Sequence, residues 1–218
     1  WLQSDTPLTP ELPVGTEPAL PADTAVRNRS FYALVRWTAA VANVKVGISY
    51  VSTDQARRNI VSRSFDEQLA ETRRTWAGML ARIPYQGTRK EMRMFYTALY
   101  HTLLMPTDKT NENPRWEGGP YFDDYYALWD TYRTSFPLLM DYYPERAAPM
   151  VQALLEIYKH DGYLPDARSG DCNGRTQGGS NAEVVLADAY ARGLKGIDYG
   201  LALEAMVKDA EVPPADDE

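Results

Sequence analysis

The chain has 218 residues, 44% of them hydrophobic, with 23 basic and 30 acidic side chains for a formal net charge of −7, and it has one cysteine. That acidic balance excludes a general binder of nucleic acid or anionic membranes, which needs a basic footprint. The single cysteine excludes an internal disulfide framework and a cysteine-based zinc site, and the apolar runs are too short to span a bilayer.

Residues 1–30 are rich in proline and threonine and carry no strand or helix periodicity, which predicts a loop or linker. Val44, Val46, Ile48 and Tyr50 alternate with Lys45, Gly47 and Ser49, the pattern of a half-buried strand, and Phe31 to Thr38 is a weaker neighbour. Two strands cannot bury a face alone, so they call for partners elsewhere. After Ser52 the period becomes helical. Ser52 with Gln55, Ser64 with Glu67 and Thr88 with Glu91 each read as a capping box. The first opens a short helix with Ala56 and Ile60, and the second opens one striped by Phe65, Leu69, Trp76, Leu80 and Ile83. The third precedes Met92, Phe95, Tyr96, Leu99 and Leu103, and Pro106 with the polar run after it ends that helix. A tyrosine-rich loop at 120–126 leads into one helix with Trp129, Tyr132, Phe136 and Met140, followed by another from about Glu145 to Lys159. A glycine-rich loop covers 161–180, Ser180 with Glu183 caps a helix ending near Gly193, and Asp198 starts a last one. The tail from Asp209 is acidic and expected to fray. Successive helices with conspicuous loops describe hairpins packed in an array or toroid, which buries its core only when closed or capped. The chain is therefore expected to be a piece of a longer polypeptide.

Three segments carry unusual residues. In Leu128-Trp-Asp-Thr-Tyr-Arg133, Asp130 and Arg133 stand three apart at a helix start, so both can face one side. A tryptophan face beside an aspartate suits a sugar, because the ring stacks and the carboxylate accepts hydroxyl hydrogen bonds. The plain alternative is a core tryptophan with a helix-capping aspartate. The second segment is Asp161-Gly-Tyr-Leu-Pro-Asp-Ala-Arg168, and the third runs from Gly170 to Asn181. Four glycines within that third segment let backbone approach a ligand closely, and the helix start at Ser180 and Asn181 favours an anion. His101 and His160 lack metal-ligand spacing, and Cys172 has no neighbouring histidine that would make it a nucleophile.

Val46-Gly-Ile-Ser-Tyr-Val-Ser-Thr-Asp-Gln-Ala-Arg57, Phe95-Tyr-Thr-Ala-Leu-Tyr-His-Thr-Leu-Leu104, Leu128-Trp-Asp-Thr-Tyr-Arg133 and Val185-Leu-Ala-Asp-Ala-Tyr190 resemble glycoside hydrolase family 92, in that order. The resemblance implies a calcium-dependent, inverting exo-α-mannosidase in which an N-terminal β-sandwich joins an (α/α)6 barrel through linker helices. The expected fold is mainly α: the last strands of the sandwich in 1–51, linker helices in 52–87, and the first part of the barrel in 88–218. The family's catalytic base and most of its calcium ligands would lie in the barrel's second half, with no metal ligand in this chain and no activity from it alone. By the same resemblance Trp129, Asp130 and Arg133 would hold the terminal mannose of a glycan.

The sequence departs from the family in the loop where mannosidases of this kind carry their glutamate acid. Asn173 to Ala182 contains no carboxylate. An ungapped match puts Asn173 near the acid's position and a small gap puts Gln177 there, which is the preferred match; Asn181 falls where many members have histidine. A sugar alkoxide is a poor leaving group, whereas phosphate leaves as a stable anion with a second pKa of roughly 6. A neutral amide is tolerable beside a phosphodiester, and Arg168, Arg175, Ser180 and Asn181 would suit its phosphate. The expected activity, which also rests on the resemblance, is hydrolysis of mannose-α-1-phospho-6-mannose, uncapping mannose 6-phosphate on N-glycans, and the expected setting is secreted, extracellular or periplasmic. The alternatives are a conventional exo-α-1,2-mannosidase with Asp171 as acid, and a non-catalytic carbohydrate-binding helical toroid.

Overall fold

The computed structural model describes residues 2–5, 7, 9–11, 34–36, 38–170, 172–174, 179 and 181–213. The chain divides into two compact units, Trp1–Leu69 and Ala70–Glu218.

The first unit contains the strands β1 (Leu2–Ser4), β2 (Thr9–Glu11), β3 (Leu34–Arg36) and β4 (Val44–Val46). β1 pairs antiparallel with β4, Leu2 opposite Val46, and β2 pairs antiparallel with β3, Thr9 opposite Arg36. β1 and β2 correct the expectation of a loop over the first thirty residues. Strands of three residues are too short to show a period. The face expected for β4 is also reversed. Val44 and Val46 are exposed while Lys45 is half-buried. The reason is that Lys45 Nζ donates to the carbonyls of Val61, Ser62 and Arg63 at 2.9, 3.1 and 2.7 Å. α1 (Thr53–Arg58) starts where expected, with the Ser52 hydroxyl accepting from the Gln55 N–H at 3.0 Å. Gly47 is buried against this helix, and a Cβ there would sit 1.9 Å from the Ala56 carbonyl oxygen. Gly47→Ala should therefore force backbone apart and destabilise this unit by about 1–3 kcal/mol, as overpacking does. Urea denaturation of the variant checks this, and an unchanged midpoint would refute the close approach.

α2 (Phe65–Leu80) begins on the expected capping box, with Ser64 N–H donating to Glu67 Oε2 at 2.8 Å and Glu67 N–H to Ser64 Oγ at 3.3 Å. Those bonds hold the Glu67 carboxyl below its usual pKa. Phe65, expected on the buried stripe, is exposed.

In the second unit, α2 continues with Trp76, Met79 and Leu80 packed on the core. α3 (Arg89–Thr102) opens on the complete Thr88–Glu91 capping box. β5 (Thr107–Asp108) pairs with β6 (Phe122–Asp123). β7 (Tyr126–Ala127) leads without a gap into α4 (Leu128–Thr131), and α5 (Ser135–Tyr142) follows. The sequence pattern had one helix across this stretch. Pro137 explains the break: it has no N–H to continue a helix from Arg133, yet it is tolerated in the first turn of a new one. α6 (Pro144–Asp161) is the centre of the core, with Met150, Val151, Leu154, Leu155 and Ile157 fully buried. It ends at Gly162, whose φ of 79° supplies the left-handed cap. β8 (Ala167–Ser169) and β9 (Cys172–Gly174) complete a three-stranded sheet in the order β7-β8-β9.

α7 (Ala182–Ala191) and α8 (Tyr199–Glu211) close the described part. α8 is capped by Asp198, which accepts from the Leu201 N–H at 3.0 Å. α7 is not capped as expected: its first flanking residue is Asn181, whose side chain makes no capping bond, and Ser180 lies outside the described residues. Leu99 and Leu103, Phe136 and Leu139, Val185 and Leu186, and Ala202 and Ala205 surround α6. The fold is mainly α, as expected.

Candidate functional site

The start of α4 carries the first candidate residues, and β8 sets its place. Across the ladder Tyr126 stands opposite Arg168 and Ala127 opposite Ala167, and the Leu128 N–H donates to the Asp166 carbonyl at 3.1 Å. Leu128 points into the core, fully buried. Trp129 is half-buried, and its indole Nε1 is enclosed with no hydrogen-bond partner among the described residues. Asp130 is exposed and belongs to the first turn of α4, whose capping position is Ala127. The aspartate is therefore not the helix cap, and no hydrogen bond or ion pair engages its carboxylate among the described residues. Arg133 Nε donates to the Trp129 carbonyl at 3.0 Å, and its guanidinium carbon lies 5.7 Å from the Trp129 ring centre and 5.8 Å from that of Tyr132. An exposed acceptor, a half-buried tryptophan ring and an exposed guanidinium thus meet on one short segment, which suits a ligand rich in hydroxyls.

Arg168 is fully buried, and its guanidinium faces protein groups. Nη1 donates to Asn173 Oδ1 at 2.5 Å and to Asp161 Oδ2 at 3.3 Å, and Nη2 donates to the Tyr121 hydroxyl at 3.3 Å. Nε lies 3.9 Å from Asp123, which is itself paired with Lys109 Nζ at 2.8 Å. Asp161 also takes Arg115 at 2.8 Å and the Asn173 amide at 3.1 Å. Trp116 flanks the cluster, stacked on His160 at 4.5 Å. Burial demands this neutralisation, because an unpaired charge at such depth is far too costly. Each end of the Asn173 amide thereby has a protein partner. Sequence reasoning missed Asp161, Tyr121 and Arg115 as partners. The one signal was that Asp161 opens the segment ending in Arg168.

Gln177, Arg175, Ser180 and Asp171 lie outside the described residues. Asn181 Nδ2 donates to the Gly179 carbonyl at 2.7 Å. Behind it, the buried carboxylates of Glu183, in the first turn of α7, and Asp209, in α8, lie close enough to interact. Burial first, and then the neighbouring Glu183 carboxyl, push the Asp209 carboxyl up to about 8. The native state thus keeps a proton that the unfolded chain, near the ordinary 3.8, gives up. Stability should fall as pH rises from about 4 to about 8. Asp209→Asn, neutral throughout, should flatten that slope in thermal unfolding scans, and an unchanged slope would count against the carboxyl pair.

No group of three or more histidine, cysteine, aspartate or glutamate side chains is placed to hold a metal ion among the described residues. No helix there is long and apolar enough to cross a membrane.

The sequence matches the description "Glycosyl hydrolase family 92 catalytic domain" over residues 53–218. It is 35% identical over 185 residues to an "Uncharacterized secreted glycosidase" of Arthroderma benhamiae, a match covering 80% of this chain and 21% of the relative. The chain thus spans about a fifth of the length of that curated relative. Its fold is similar to that of a family GH92 inverting mannosidase from Bacteroides thetaiotaomicron, with TM-score 0.76 and 23% identity over 99% of this chain and 32% of that one. A family GH92 α-mannosidase from the same organism matches at TM-score 0.72 and 27% identity, covering 88% of this chain and 29% of that one. The same enzyme in complex with mannoimidazole matches at TM-score 0.70 and 27% identity over 86% of this chain and 28% of that one. With three-quarters of its length inside the family description and the helical fold in common, the chain belongs to glycosyl hydrolase family 92.

Proposed function

We propose that this chain is part of a longer inverting α-mannosidase, in which Trp129, Asp130 and Arg133 hold the terminal mannose. The observation that carries the reading is Asp130. It is an exposed carboxylate that makes no hydrogen bond or ion pair among the described residues, beside a half-buried tryptophan. Residues 1–51 would end a β-sandwich, 52–87 would be linker helices and 88–218 the first helices of an (α/α)6 barrel. The strand pairs ahead of α1 and the family match from residue 53 support this division. Calcium enters by family resemblance, and its ligands would come mostly from the remainder of the polypeptide. A secreted, extracellular setting is supported by the name of the fungal relative.

An inverting glycosidase needs one carboxylic acid at the leaving oxygen and a carboxylate to activate water. The stretch from Asn173 to Ala182 has no carboxylate, and this favours a substrate whose leaving group departs without a proton. Mannose-α-1-phospho-6-mannose is such a substrate, with Gln177 at the acid's position. Arg168 is already neutralised, so the cation facing the phosphate would be Arg175 or Arg133. The test is the full-length polypeptide on matched substrates. Faster hydrolysis of the phosphodiester than of α-1,2-mannobiose supports this reading, and fast cleavage of mannobiose that collapses in Asp171→Asn supports a conventional mannosidase. Mannose binding without hydrolysis of either would leave a non-catalytic carbohydrate-binding toroid.

A further inference from the structure

We propose that Asp161, acting through Arg168 and Asn173, is a positioning residue for the Trp129–Asp130 pair, an inference that rests on the mannosidase reading above. Asp161 is the last residue of α6, the helix enclosed on nearly all sides by the core. Its carboxylate receives Arg115 from the loop after β5, Arg168 from β8 and Asn173 from β9. This ties the strand pair β8–β9 to the most buried element of the unit. β8 in turn holds β7 through the Tyr126–Arg168 and Ala127–Ala167 register, and the Asp166 carbonyl holds the Leu128 N–H. Every link from Asp161 to the residue before Trp129 is thus a hydrogen bond, an ion pair or a peptide bond.

α4 depends on that path. It has four residues and no side-chain cap, and a single turn cannot hold itself in water. Asp130 makes no side-chain bond among the described residues, so there the backbone places it. Displacing β8 therefore moves the indole and the carboxylate together. A group acting only on folding would behave otherwise. It would reduce the folded fraction, and the molecules that remain folded would keep the native KM.

The experiment measures kcat, KM and the unfolding midpoint of the full-length polypeptide on a terminal α-mannoside. Asp161→Asn, which keeps the side chain's shape but removes its charge, should raise KM by roughly 5-fold or more, in the range of coupled neighbours. In an Asp130→Asn background the same change should add little, because the two act on one subsite. Asp141→Asn, which removes a surface pair with Arg192, should leave KM unchanged. An unchanged KM in Asp161→Asn, or full additivity with Asp130→Asn, overturns the proposal. Should Asp161→Asn fail to fold, Asn173→Ala decides, since it leaves the Asp161–Arg168 pair in place: a raised KM supports the proposal and a native KM overturns it. An active wild type with an unaffected variant sinks this inference alone, whereas an inactive wild type sinks the mannosidase reading and the inference with it.

Discussion

Arg168→Met should destabilise the second unit by about 3–5 kcal/mol, the largest stability effect expected in the chain. Methionine fills much of the arginine's volume but leaves the carboxylates of Asp161 and Asp123 facing each other's surroundings without the central cation. Arg115 and Lys109 remain, so the loss should stay short of complete unfolding. Urea denaturation gives the value directly. Arg192→Ala makes the contrast: it breaks pairs with Asp188 and Asp141 that are partly solvated, and exposed pairs contribute only about 0–1 kcal/mol. Equal losses in the two variants would show that the buried cluster has no special weight.

Asp130→Asn should do the reverse, with a large effect on turnover and almost none on stability. A hydrogen bond to a charged group is worth about 1.5–3 kcal/mol, which corresponds to a loss in kcat/KM of roughly 10- to 100-fold. Because the carboxylate makes no bond among the described residues, the unfolding midpoint should correspond to a change within about 0.5 kcal/mol. Trp129→Ala should lose comparable activity, with some stability as well, since its ring is half-buried under Arg133. Kinetics on a terminal α-mannoside with the full-length polypeptide, paired with a melting curve, separates the two. A variant that loses stability and keeps kcat/KM would assign Asp130 a structural role.

Helices were the part of the fold most open to reading from sequence. Thr88 with Glu91 and Ser64 with Glu67 announce helix starts because the same short-range bonds that define a capping box recur in the structure. The strands were harder, since three residues carry no period and β1 finds its partner forty residues away. Pro137 was visible, yet the run of Trp129, Phe136 and Met140 looked continuous because those residues stand seven and four positions apart, a helical interval. At the site, Trp129 and Asp130 could be read from residue types alone. Arg168 could not. Its partners Tyr121, Asp123 and Asp161 come from the loop before β6, from β6 and from the end of α6, and nothing local says that a buried guanidinium will be neutralised by them. The excess of aromatic residues divides in the same way, with Tyr121, Tyr125 and Tyr143 in the core and Trp129 partly open beside the free carboxylate.

The most direct test of the central claim is a proton NMR time course of the full-length polypeptide on a terminal α-mannoside, read before the product mutarotates. The account predicts that β-mannose appears first and that Asp130→Asn slows its release. Release of α-mannose first, or no release at all by the wild type, would contradict it.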